Sequence, residues 1–553
     1  METFRFAPAY QLPTYPFVVP PDIGAAQVQR HRVVIVGAGL SGLTLACDLA
    51  VRGVAAVVLD EDDTVGARGA SSRGICYAQK SLEIFERLGI CERIMAKGVT
   101  WSVGRTYSGD SEVYNFNLAS DSVSAQPPFV NLQQFYVEWF LVDRITELGC
   151  TDLRWKSRVS RVEPRSDHVR LTVQTPAGDY ALEAEIVIDA TGANSVIRTQ
   201  LGLDAHASHS ADRWCISDVR FKKPLPTERW TWVDAPFNDG RAVWQHLMGD
   251  EVWRVDYQMP DDADPETVSR PEVAGSRLRR QLGPDVEFEF VWIGPYQYRD
   301  HLLDNFRAGR VFFIGDAAHV VSPFGARGGN SGVQDAANLG WKLALVLQGQ
   351  ASEALLDSYD SERRPAALEN LEVTSRTARF MAPRSPAEHT LRRAAVALAR
   401  HYPFARPLVN TGRMSVANAY PAAPCLPRGG RSVQNIALRW ADGRPTTVMQ
   451  LLREGTRFIG LCFEPSAADG DALVQVEMGL PLDLLAVGGH SALPTLHDPD
   501  GRLAQHLEAA PGSLCLIRPD GYLAASLPAA EPGALTAALH TALAMDSIAR
   551  PAP

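Results

Sequence analysis

The run Val33-Val-Ile-Val-Gly37-Ala-Gly39-Leu-Ser-Gly42 constrains this chain more than any other segment. Val33 to Val36 read as a buried strand. Leu43, Leu45, Ala46 and Leu49 mark one face of a helix that Gly53 ends. Ala56-Val-Val-Leu59 is a second strand, closed by Asp60. Together they make one βαβ unit of a doubly wound fold. In Gly37-x-Gly39-x-x-Gly42 the first glycine permits a tight turn and the second lets backbone approach a phosphate. The third lets helix and strand pack closely. The helix N-terminus then turns unpaired N–H groups toward a pyrophosphate. Asp60 stands where a carboxylate accepts both ribose hydroxyls. This motif alone does not separate FAD from NAD.

A second strand far along the chain separates them. Arg310-Val-Phe-Phe-Ile-Gly315-Asp316-Ala-Ala-His319 ends on glycine and acid, and Pro323-Phe-Gly-Ala-Arg-Gly328-Gly329-Asn330-Ser-Gly332 leads into an expected helix, 333–347. A glycine-rich approach to a helix is a second anion site. In a flavin protein it stabilises negative charge at the N1/O2 edge of the reduced ring. One long cofactor gripped at both points favours FAD over NAD. Only one strand–GxGxxG–helix unit is present, so the chain carries no separate nicotinamide domain. That argues against a disulfide reductase with two dinucleotide domains.

At 553 residues the chain has room for about three domains. The net charge of -10 argues against nucleic acid, which needs a basic surface. The eight cysteines include no CxxC pair, which fits a reducing compartment and argues against a metal site or a redox dithiol. No apolar run reaches the roughly 18–20 residues of a membrane helix. Residues 1–30 lack the layout of a signal peptide and read as an extended surface arm. These features predict a cytoplasmic protein.

The expected organisation is an α/β chain. A doubly wound FAD-binding, glutathione-reductase-like fold covers residues 31–205 and 301–375. Residues 206–300 form an inserted antiparallel substrate sheet: Val286-Glu-Phe-Glu-Phe-Val-Trp292 alternates with period two. Six of the 11 tryptophans, Trp214, Trp230, Trp232, Trp244, Trp253 and Trp292, fall there. A helical and coil connector covers 376–429 and a separate α/β module 430–553.

Several segments occur in one characteristic order. They are Gly37-Ala-Gly-Leu-Ser-Gly42 with Asp60, Arg73-Gly-Ile, Gln134 before Glu138, and Gly315-Asp-Ala-Ala-His319 through Asp335-Ala-Ala-Asn338-Leu-Gly-Trp-Lys342. In this the chain resembles the single-component flavoprotein aromatic hydroxylases of the para-hydroxybenzoate hydroxylase type. It is most similar to their longer 3-(3-hydroxyphenyl)propionate and phenol hydroxylase-like subgroup. The resemblance covers roughly residues 30–375. It implies that Gly37, Gly39, Leu40, Ser41 and Gly42 wrap the pyrophosphate and that Asp60, with Glu61 beside it, holds the adenosine ribose. Arg73 and Gln134 would contact the pyrophosphate and ribityl region, and Val159 would offer backbone to adenine. Asp316 would bind a ribityl hydroxyl, and Gly328, Gly329 and Asn330 the ring. Pro323 would lie between flavin and substrate. The tail around Leu514-Cys-Leu-Ile-Arg-Pro-Asp-Gly-Tyr522 resembles a thioredoxin-like extension that lacks the redox CxxC. A homodimer through it follows by analogy.

The resemblance further implies that NAD(P)H reduces FAD, that reduced FAD reacts with O2, and that a C4a-hydroperoxide hydroxylates a small aromatic substrate. One position departs from the family. Ala190-Thr191-Gly192-Ala193-Asn194-Ser195 carries Thr191 where an acid is usual, which bears on nicotinamide handling. A phenol is attacked faster as phenolate, so the site needs a group to take the proton. His246 and Tyr257, in the tryptophan-rich stretch, are the two candidates. Three other readings remain: epoxidation or Baeyer–Villiger insertion on a non-phenolic or polyketide-like substrate, a flavin-bound protein without turnover, and a plain NAD dehydrogenase.

Overall fold

The computed structural model describes residues 10–66, 74–118, 122–203, 205–409, 414–453, 457–477 and 480–545. A mostly parallel sheet forms where sequence periodicity places it. Gln29–Val36 lies between Ala56–Leu59 and Tyr180–Asp189, all parallel, and Val311–Phe313 adds on beside Tyr180–Asp189. Thr151–Arg154 closes the other edge. Ala56–Leu59, Val311–Phe313 and the Val33 to Val36 half of the first strand are apolar and buried because helices cover the sheet. Helix Leu40–Val51 packs against helix Arg327–Leu347 and against helix Gln134–Leu148. The amino-terminal arm is tied down by Tyr15, stacked on Trp155 with ring centroids 4.5 Å apart.

The second sheet is antiparallel through its centre, as the period-two pattern predicts. Phe288–Leu303, Ala205–Phe221, Trp253–Met259, Arg241–Leu247 and Arg229–Ala235 lie side by side. It reaches beyond the expected 206–300 insert. Val103–Ser108 pairs in parallel with Arg229–Ala235, and Ser111–Asn117 completes the edge. Trp230, Trp232, Tyr257 and Trp253 turn to an outer apolar core against helix Pro271–Leu282. The opposite face, carrying Trp214, Trp244, His246, Arg254 and Asp256, turns toward the first domain.

A third, mixed sheet of seven strands makes the carboxy-terminal module, with Phe458–Phe463 at its centre between Leu482–Val487 and Leu514–Ile517. Its core is continuous with Trp341, Leu345 and Leu355 of the first domain. A buried ion network also joins the two. Arg518 donates to both oxygens of Glu362 at 2.7 and 2.8 Å, and Lys342 and Asn338 donate to Glu362 at 2.9 and 2.6 Å. Burial alone would raise the Glu362 carboxyl; Arg518 and Lys342 hold it down at about 2. No described helix is long and apolar enough to cross a membrane.

Candidate active site

Gly37 has φ +107°, a conformation only glycine adopts freely, and a Cβ there would stand 2.5 Å from the Ala190 carbonyl oxygen. A Cβ on Gly42 would stand 2.0 Å from the Gly37 carbonyl oxygen, so this glycine lets the helix begin against the turn. Gly39 differs from both. A Cβ there meets no protein atom within 4 Å, so its face opens onto free space at the helix N-terminus. That space is what a pyrophosphate requires.

Asp60 follows its strand as expected. Its Oδ2 accepts from the Ala38 N–H at 2.6 Å and its Oδ1 from the Asp62 N–H at 2.8 Å. Burial raises its carboxyl above the ordinary range, with those two N–H groups opposing. Glu61 points outward, 3.7 Å from Arg158. Val159 is nearly buried in an antiparallel pair with Val173. Gln134 accepts from the Gly74 N–H at 3.0 Å and donates to Glu138 at 2.8 Å. Arg73 lies outside the described residues.

Glu138, four residues after Gln134 in the motif order, is buried. It also accepts from the Gly66 N–H at 2.7 Å, and burial pushes its carboxyl up to about 7. A backbone hydrogen bond from Leu40 sets it at the start of the glycine-motif helix.

The two distant glycine motifs touch. The Ser41 hydroxyl is wedged between Gly315 and Gly332: a Cβ on either would come within 2.3 or 2.2 Å of Ser41 Oγ. A Cβ on Gly329 would press on Leu40 at 3.3 Å. Asp316 sits half-buried in the turn Gly315–Ala317, beside this junction. Asp335 braces the turn from the following helix, accepting from the Gly315 N–H at 3.0 Å and pairing with His319 at 2.6 Å and Arg363 at 2.7 Å. Burial alone would raise it; His319 and Arg363 bring it down to about 2. His319 is thereby a structural group.

The following helix starts six residues before the expected position, at Arg327. Gly328, Gly329 and Asn330 are therefore its first turn and not a loop ahead of it. Glycines weaken helical periodicity in sequence, while here they leave the N-terminus bare. The Asn330 side chain clamps the strand Cys76–Ala78: Oδ1 accepts from the Ala78 N–H at 2.9 Å, and Nδ2 donates to the Cys76 carbonyl at 2.8 Å. At the Thr191 position the turn is intact. Asp189, two residues earlier at the end of its strand, accepts from the Thr191 N–H at 3.0 Å and its hydroxyl at 2.6 Å, and also binds Ser195.

Pro323 is exposed and Phe324 buried, and Phe324 meets Trp244 edge-on at 4.8 Å. Trp244 stacks on Trp214 at 4.7 Å. The inner sheet face therefore lies directly over the loop before Arg327. His246 is on this face, buried. Burial, then Arg229 and Arg254, hold its ring well below the usual histidine range, so it is neutral. Its Nδ1 has no partner among the described residues. Tyr257 corrects the sequence expectation: strand alternation sends it to the outer face, where its ring is fully buried and its hydroxyl donates to Gln281 at 2.5 Å. It faces away from the junction. Arg254 pairs with Asp218 on the inner face through two contacts of 2.8 and 2.7 Å. Arg229 and Asp256 share that face, and sequence reasoning overlooks both. Period-two alternation in Trp253-Arg-Val-Asp-Tyr was the available signal.

Residues 30–374 match the FAD binding domain family, and the chain belongs to it. It is 30% identical over 570 residues to 6-methylpretetramide 4-monooxygenase of Streptomyces rimosus, covering 97% of this chain and 98% of that protein. It is 26% identical to the 3-(3-hydroxy-phenyl)propionate/3-hydroxycinnamic acid hydroxylase of Mycolicibacterium smegmatis, covering 89% and 90%. Its fold matches the crystal structure of the flavin-dependent monooxygenase PieE in complex with FAD and substrate. There the TM-score is 0.77 at 23% identity, covering 93% of this chain and 99% of that one. The protein is a flavin monooxygenase, and its cofactor is FAD.

Proposed function

We propose that the protein hydroxylates a phenolic aromatic compound, using NAD(P)H and O2. The observation that carries this reading is the meeting of the two glycine motifs at Ser41, beneath an inner sheet face lined by Trp214, Trp244 and Phe324. In this reading Gly37 to Gly42 take the pyrophosphate and Asp60 the adenosine ribose. Glu61 and Val159 border the adenylate, Arg73 and Gln134 the middle, Asp316 the ribityl chain, and Gly328 to Asn330 the ring. Bound in that way, FAD supplies the passage of electrons from NAD(P)H to dioxygen. The chain's own contribution is to hold the substrate against the packed rings of Phe324, Trp244 and Trp214, with Pro323 between it and the flavin, and to keep water out. Neutral His246 can accept a hydrogen bond, but its depressed basicity makes it a poor proton acceptor. Asp189, holding the turn that Thr191 leaves without its usual acid, keeps that loop in shape for the nicotinamide donor. The carboxy-terminal module serves as a thioredoxin-like extension without redox cysteines.

A second reading is oxygenation of a polyketide-like substrate, favoured by the nearly full-length match to 6-methylpretetramide 4-monooxygenase. One experiment tests both: NAD(P)H consumption by the purified protein across simple phenols and tetracyclic polyketides, with product mass measured. A phenol that speeds NAD(P)H oxidation and gains one oxygen atom supports the first reading. Stimulation by the polyketides alone supports the second, and stimulation by neither contradicts both.

A further inference from the structure

Five of the eleven large apolar side chains exposed among the described residues fall within one short stretch: Leu391, Leu398, Tyr402, Phe404 and Leu408. Single exposed apolar groups are ordinary, whereas a cluster of them marks a contact surface. Helix Pro386–His401 carries the first part of it. The inner face of this helix packs Ala395, Val396 and Ala399 against Val113, Tyr114 and Val233 of the second sheet. On the outer face Leu391, Ala394, Leu398 and Tyr402 follow one another at spacings of three and four. That stripe runs about 17 Å, at roughly 1.5 Å per residue. Phe404 extends it, its ring centroid 5.8 Å from that of Tyr402.

The same stretch is basic. Between Arg376 and Val409 there are seven arginines and one acid, Glu388, in a chain whose net charge is -10. Glu388 is occupied as the helix cap, accepting from the Arg384 and Ser385 N–H groups at 2.6 and 3.2 Å. Arg393 and Arg400, seven residues apart, lie on one exposed side of the helix beside the stripe. Arg376, Arg379 and Arg384 are exposed as well. Asp234 of the strand Arg229–Ala235, whose charge reaches Arg392, is held by Ser108 and Gly109. An apolar stripe flanked by arginines, on an otherwise acidic protein, selects an occupant that is apolar inside and negative at its surface. A second copy would set the arginines of one patch against those of the other. A bilayer with anionic headgroups meets both demands, and arginine stems bridge its two layers.

We propose that helix Pro386–His401 and the turn after it dock the protein on the surface of an anionic lipid bilayer. The helix lies along the bilayer plane. Leu391, Leu398, Tyr402, Phe404 and Leu408 enter the boundary between headgroups and acyl chains, and Arg393 and Arg400 pair with lipid phosphates. The contact is peripheral, since no described helix is long and apolar enough to cross. The same surface repels the acidic remainder of the chain, so this patch sets the orientation. Phe380 and Met381, just ahead of the segment, pack with Trp214, Trp244 and Phe324, and Arg392 donates to the Met381 carbonyl at 3.2 Å. The bilayer therefore meets the molecule beside the proposed substrate face. Docking does not depend on which substrate is oxygenated there.

Flotation of the FAD-loaded protein with lipid vesicles tests this, using phosphatidylcholine alone and phosphatidylcholine mixed with phosphatidylglycerol. Wild type binds the mixed vesicles at least about tenfold more tightly than the neutral ones, and high salt removes most of the difference. Arg393→Gln combined with Arg400→Gln weakens binding to the mixed vesicles by roughly fivefold for each arginine. Leu398→Asn combined with Phe404→Ser weakens it by about tenfold or more. All four side chains are exposed, so each variant keeps the wild-type thermal midpoint and its bound flavin, which separates lost docking from lost folding. Equal binding to the two vesicle types overturns the proposal, as does binding to neither. Binding that the Leu398 and Phe404 substitutions leave unchanged overturns it as well. A dimer in sedimentation velocity that those two substitutions dissolve, in place of vesicle binding, assigns the patch to a second copy and also overturns it.

Discussion

Asp256 and Tyr257 are neighbours in the chain, and strand geometry sends them to opposite faces of one sheet. Aromatic content alone makes Tyr257 a candidate for proton transfer, because a sequence does not state which face is covered by what. His246 falls on the inner face but is held neutral by burial and two arginines. Replacing Tyr257 with Phe removes only the bond to Gln281. It should lower stability by about 1 kcal/mol and leave ligand binding unchanged, as thermal unfolding and calorimetry will read. Glu138 gives a sharper residue-scale prediction. Its folded carboxyl titrates near 7, above its ordinary 4.5. Its contribution is therefore fully present below 4.5 and is lost as pH rises through 7. Glu138→Gln should abolish that loss, a difference of about 3 kcal/mol at alkaline pH, seen by comparing denaturant midpoints of the two proteins across pH. Equal pH profiles would refute it.

At the scale of elements, the strands and the first glycine turn were readable because period, glycine spacing and Asp60 all agree locally. The early start of helix Arg327–Leu347 was not, since its first turn is built of glycines that mask helical periodicity. The structure also divides the glycines by task. Gly42 is closed in by protein, whereas Gly39 faces open space. Gly42→Ala should destabilise the chain even without cofactor. Gly39→Ala should leave the apoprotein's thermal midpoint nearly unchanged and weaken FAD binding by tenfold or more, roughly the value of one lost phosphate contact. Titration of the two apoproteins with FAD checks this, and an unaltered FAD affinity for Gly39→Ala would contradict the proposed pyrophosphate site.

At the scale of the whole molecule, the described residues form four sheets, and their long-range pairings were the least legible feature. Val103–Ser108 joins the second sheet only through Arg229–Ala235, far away in sequence, so no local pattern announces it. The same holds for Arg518, which closes a buried network with Glu362 and Lys342 across the carboxy-terminal junction. Arg518→Met should cost about 3–5 kcal/mol, since it leaves Glu362 and Asp520 short of a buried partner, and thermal unfolding will register it. A change below 1 kcal/mol would mean that the module docks through its apolar contacts alone.

The central claim is that one extended flavin dinucleotide spans the two glycine motifs that meet at Ser41, with its ring under the tryptophan face. A crystal structure of the FAD-loaded protein measures this directly. The account predicts the pyrophosphate at Gly39, the ribose at Asp60, the ribityl chain at Asp316 and the ring against Gly328 to Asn330. Density that leaves Asp316 and Gly329 untouched would contradict it.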